Sequence, residues 1–75
     1  MRAFAANGDV TVDLSELVFA DTSLMLDLAM LSRRLRLRGR AILLHGPQPQ
    51  ILTLIEMFGL HRLPGVRLEA ASIQA

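Results

Sequence analysis

The sequence predicts one small α/β domain built on a βαβαβ core with parallel strands. Three observations carry that prediction: short alternating segments at both ends, a four-residue apolar run between them, and two helical patterns that separate the three. At 75 residues the chain holds at most one domain, 1–75, and a chain of this size buries only about 60% of its unfolded surface. The hydrophobic share of 52% is high for this length, and implies a well-filled core or apolar surface kept for a partner.

Asn7-Gly8-Asp9 reads as a turn, and Ala3 to Gly8 before it reads as the tail of a helix. Val10-Thr11-Val12-Asp13-Leu14 then alternates apolar and polar, the period of a strand with one buried face. Ser15 to Ala20 is a connection in which Leu17, Val18 and Phe19 are expected to tuck under the next element. Asp21-Thr22-Ser23 supplies three consecutive residues suited to capping a helix. From there Leu24, Leu28, Leu31 and Leu35 follow the i, i+4, i+7, i+11 spacing of one helical face. Arginines gather at its end, where cations favour the helix dipole, and Gly39 stops it.

Ala41-Ile42-Leu43-Leu44 is apolar without alternation, as expected of a central parallel strand covered on both faces. Gly46-Pro47-Gln48-Pro49 is a sharp loop. A second helix runs from near Pro49 to Phe58, with Ile51, Leu52, Leu54, Ile55 and Phe58 as its apolar side and Gly59 beyond its end. His61 to Gly65 is a loop, Val66-Arg67-Leu68-Glu69 alternates as the last strand, and the six residues after it are expected to fray. The simple order 1-2-3 puts Ala41 to Leu44 in the middle of the sheet, with right-handed crossovers.

Composition excludes several classes of function. There is no cysteine, hence no disulfide and no thiolate metal site. Formal net charge is +1, from eight arginines, no lysine and seven acids. Five arginines fall at Arg33, Arg34, Arg36, Arg38 and Arg40, a local cluster. With three Phe and no Trp or Tyr, stacking residues are too scarce for a nucleic-acid reading. The glycines beside the middle strand lack the spacing of a phosphate loop. His45 and His61 read as ordinary strand-end or loop residues, and the four Met as core filler. No metal site, cofactor or catalytic constellation is predicted, so the expectation is a binding protein and not an enzyme. No apolar run reaches the ~18–20 residues of a membrane span and no secretory signal opens the chain. A cytoplasmic location is expected.

The segment with a specific look is Val12-Asp13-Leu14-Ser15, then Val18-Phe19, then Asp21-Thr22-Ser23 at a helix start. It is followed by Arg33 to Arg38, Gly39, Ala41 to Leu44, Pro47-Gln48-Pro49-Gln50 and Phe58-Gly59-Leu60. This ordered set resembles the bacterial STAS domains of the anti-sigma-factor-antagonist type, over residues 9–69. The resemblance implies a STAS-like fold and a binding module docking a partner that is both anti-sigma factor and serine kinase. It also implies that Ser23, two residues after Asp21, is the phosphorylated hydroxyl, and that Asp21, Thr22, Ser23, Leu24 and Met25 form the partner-binding surface. Asp13, at the preceding strand's end, has a supporting role.

Two departures qualify the resemblance. The family's serine is usually followed by Gly, whereas here Leu24 and Met25 follow. The helix start is apolar around most of its circumference, so this turn is expected to pack against something beyond the sheet. The family also has further strands and a helix before the part matched by Val10, which makes the chain either a short form or one whose start lies downstream. A three-stranded sheet covered on one side would leave an apolar face bare, and a homodimer is expected to complete it. The alternative function is a non-phosphorylated STAS-like scaffold subunit of a larger complex, such as a lipid transport system.

Overall fold

The computed structural model describes residues 1–6 and 8–69. They form β1 (Arg2–Ala6), β2 (Asp9–Asp13), α1 (Thr22–Leu37), β3 (Ile42–His45), α2 (Pro49–Phe58), a 3-10 turn over Leu60–Arg62 and β4 (Val66–Glu69). The strands lie side by side in chain order, β1-β2-β3-β4. β2, β3 and β4 are parallel and in register, with Val10, Ile42 and Val66 aligned at one end and Asp13, His45 and Glu69 at the other. The predicted βαβαβ core is present, and its middle parallel strand is the expected one. Two crossovers running the same way across a sheet place both helices on one face.

β1 corrects the helical reading of Ala3 to Gly8. Arg2–Ala6 pairs antiparallel with β2, Arg2 opposite Asp13 and Phe4 opposite Thr11. The sequence between the two strands is Asn-Gly, a pair common in two-residue hairpins. Gly8 has φ 86°. A side chain there would also press on the Arg40 guanidinium, 3.3 Å from the Cβ position. The expected turn residue Asn7, and the expected fraying of 70–75, lie outside the described residues.

The covered face of the sheet contributes Val12, Ile42 and Leu44, with Leu14 just past β2, to the core. Against them pack Met25, Leu28 and Leu35 of α1, Ile51 and Ile55 of α2, and Leu60. The α1 core face is therefore Met25, Leu28, Ser32 and Leu35; of the predicted stripe, Leu24 and Leu31 are only partly buried at its margin. Ser32 fits the core because its hydroxyl donates to the Ala29 carbonyl at 2.7 Å. At the end of α1, Arg40 N–H donates to Leu35 O at 2.8 Å and Gly39 N–H to Arg36 O at 2.9 Å. This is the paired closure of a Schellman motif, with Gly39 at φ 72°.

The open face differs from expectation. β3 is covered on one side only: Ile42 and Leu44 are buried, while Leu43 is half-buried. Alternation puts Arg2, Asp13, His45 and Glu69 in one row across this face, and Phe4, Thr11, Leu43 and Arg67 in the next. The face is mostly charged or polar, so the bare apolar surface on which the expected dimer rested is not there. No helix among the described residues is long and apolar enough to cross a membrane.

Candidate functional site

Parallel strands end together, and the helices that follow them begin at that same edge. Here the carboxyl ends of β2, β3 and β4 and the first turns of α1 and α2 form one rim. Asp13 closes β2 by accepting the Ser15 N–H at 2.9 Å, a side-chain turn that redirects the chain. The Ser15 hydroxyl and N–H hold the Asp13 carboxyl below the usual aspartate range; His45 and Arg2 lower it further, against an opposing effect of burial. His45 Nδ1 meets the Glu69 carboxylate, joining the ends of β3 and β4.

The connection from Leu14 to Asp21 is tied to α2. Gln48 Nε2 donates to Ser15 O at 2.9 Å, and Gln50 Nε2 to Val18 O at 3.4 Å. Held this way, the loop presents Val18 and Phe19 to solvent, 65% and 75% exposed. Only Leu17 of the expected three packs on the core. Adjacent residues cannot all turn inward, and the carbonyl anchoring leaves Val18 and Phe19 outside.

Asp21 caps α1, its carboxylate accepting the Leu24 N–H at 3.1 Å. Thr22 and Ser23 are the first two helical residues, and both are exposed. Neither hydroxyl is engaged in a hydrogen bond among the described residues. Leu24 folds toward the core margin and leaves the Ser23 side open. Met25 is 1% exposed and belongs to the core, so it cannot touch a docked protein. Asp13 is hydrogen-bonded to Ser15 and so shapes the loop that leads to Asp21.

The outer face of α1 is apolar, as the circumference of the helix start implies, and it extends further along the helix than that first turn. Leu26, Met30 and Leu37 are large and exposed, so the Met30 read as core filler stands outside, as do Met1 and Met57. The usable signal was the apolar circumference of the helix start. Among the described residues no group of three or more His, Asp and Glu is placed to hold a metal ion.

The family described as Mlab, STAS domain matches residues 1–68. Comparisons with curated proteins and with solved structures return no match.

Proposed function

Because the chain belongs to the STAS domain family, we propose that it is a non-enzymatic protein–protein interaction module of the anti-sigma-factor-antagonist type. In this reading the head of α1 docks a cytoplasmic partner, an anti-sigma factor with serine kinase activity. Ser23 is the switch. One observation supports this most: a free, exposed hydroxyl in the first turn of a capped 16-residue helix.

The chemistry suits a switch at this place. The kinase transfers the γ-phosphoryl group of ATP to Ser23 Oγ; the hydroxyl proton is lost and ADP leaves. The product adds about −1.5 to −2 charges. Unpaired N–H groups of the first turn and the positive end of the helix dipole accommodate it without refolding. A partner surface fitted to a neutral hydroxyl beside the Asp21 carboxylate instead meets two negative groups. Each ~1.4 kcal/mol of repulsion weakens docking tenfold. Thr22, Ser23 and the exposed flank of Leu24 are the contact residues, with Asp21 at their edge. A homodimer is not part of this reading, since the open sheet face carries Asp13, His45, Arg67 and Glu69.

Capture of partners from the native host with wild type, Ser23→Ala and Ser23→Asp tests it. Ser23→Ala should retain the partner and Ser23→Asp should lose it at least tenfold; equal capture by all three refutes the switch. The second reading, a scaffold subunit without phosphorylation, is favoured by Val18, Phe19, Leu26 and Met30, apolar contacts that a charge at Ser23 would not remove. A Ser23 that stays unmodified in the host, read by mass spectrometry, selects it.

A further inference from the structure

The outward face of α1 carries a row of apolar side chains that the core does not use. At 3.6 residues per turn, Ser23, Leu26, Met30 and Leu37 lie in one row within roughly 60° of arc. That row is opposite Met25, Leu28 and Leu35. Leu26, Met30 and Leu37 are 54%, 56% and 70% exposed, on a face that a solvated helix normally keeps polar. Leu26 to Leu37 spans about 17 Å at 1.5 Å per residue, the reach of three helical turns.

Arginines frame the lower half of this row. One shallow depression lies among Met30, Arg33, Arg34 and Leu37. A second has Leu31, Leu35 and Leu37 as its floor, between Arg34 and Arg38. The Arg36 and Arg40 side chains pass beside Gly65 and Gly8, away from this row. Arg33, Arg34 and Arg38 are in no ion pair among the described residues, where the ion pair is His45 with Glu69. Asp27 is the sole acid within α1.

We infer that this ridge binds an acidic amphipathic helix of a partner protein, laid along α1. Its apolar side chains would rest on Leu26, Met30 and Leu37, and its carboxylates would meet Arg33, Arg34 and Arg38 in forked contacts. The inference rests on α1 being the docking element and adds the chemistry of what docks there. Charge placement favours a helix over an anionic membrane. The basic groups occupy only the C-terminal half of the ridge, while Asp21 and Asp27 stand at its head. A lipid plane would meet both halves, whereas a helix can carry its acids at one end. The head of the ridge is Ser23, about 15 Å along the helix from Arg33, so a phosphate there acts on the opposite end of the ligand from its acids.

The test uses a fluorescent, stapled 21-residue helical peptide with a Leu face flanked by Glu in one half, and its Lys-for-Glu counterpart. Anisotropy at low salt should show binding of the Glu peptide and none of the Lys peptide. Arg34→Glu/Arg38→Glu should weaken binding at least tenfold. The milder Arg34→Gln/Arg38→Gln should weaken it severalfold, each variant verified as folded by circular dichroism. The inference is overturned by undiminished binding by both arginine variants, no binding of the Glu peptide, or tighter retention on phosphatidylglycerol vesicles than on the peptide. A dimer in light scattering that Arg34→Glu/Arg38→Glu dissolves also overturns it, giving the ridge to a second copy. Ser23→Asp separates this inference from the switch. If Ser23→Asp captures the host partner as wild type does while the arginine variants lose the peptide, the switch fails and the ridge stands. The reverse pattern retains the switch and removes the ridge.

Discussion

Asp13 shows how a single side chain couples loop geometry to protonation. Its carboxylate accepts from Ser15, and these bonds, aided by His45 and Arg2, lower its pKa in the folded protein. A depressed pKa stabilises the fold at pH above the unfolded value, roughly 3.9. That contribution is lost as pH falls through the folded value. Asp13→Asn should therefore narrow the stability gap between pH 7 and pH 3 measured by urea unfolding; an unchanged gap would remove Asp13 from the acid response. Among the candidate site residues, the Asp-x-Ser spacing at Asp21 and Ser23 was readable from the chain, and the Asp21 cap is present. The burial of Met25 was not. Leu24, Met25 and Leu26 are all apolar, and any of the three could have been the inward residue. The deciding neighbour, Ser32, is polar and concealed the true core face by satisfying its hydroxyl within its own helix.

Among the elements, α1 depends most on its terminus. Gly39 occupies the left-handed region with no atom near its Cβ position, so substitution meets backbone strain without a clash. Gly39→Ala should cost about 1 kcal/mol, read as a shift in the urea midpoint with an unchanged slope; a neutral result would mean that the helix end relaxes. Both helices and the three parallel strands were legible because their periods are long or their boundaries carry Gly, Pro and Asp. β1 was not. Ala3, Ala5 and Ala6 favour helices intrinsically, and Phe4 alone gives little strand character. The pairing with β2 overrides that preference, and its trace in the chain was the Asn-Gly pair, read as a turn without the hairpin it closes.

At the level of the whole molecule, stability rests on a single layer of contacts between one sheet face and two helices. Ile55 and Leu14 are fully enclosed there. Ile55→Ala should cost about 2–5 kcal/mol, against a total of roughly 4–11 kcal/mol for a chain of this length. The variant should unfold at a far lower urea concentration than wild type, and a loss under 1 kcal/mol would show that the layer can collapse around the gap. The apolar open face expected from the sequence is absent at this scale, because alternation in β2 and β4 sends charge to the uncovered side, a consequence of pairing invisible in any one segment. The central place of β3 also governs the order in which the molecule can be completed. Synthesis delivers the hairpin and α1 first, while the strand that β2 and α1 must both pack on begins only at Ile42. Until that stretch leaves the ribosome, Val12, Leu14, Met25 and Leu28 have no finished surface to close upon. β3 supplies the floor, and the layer closes only when Ile51 and Ile55 of α2 and Leu60 follow it.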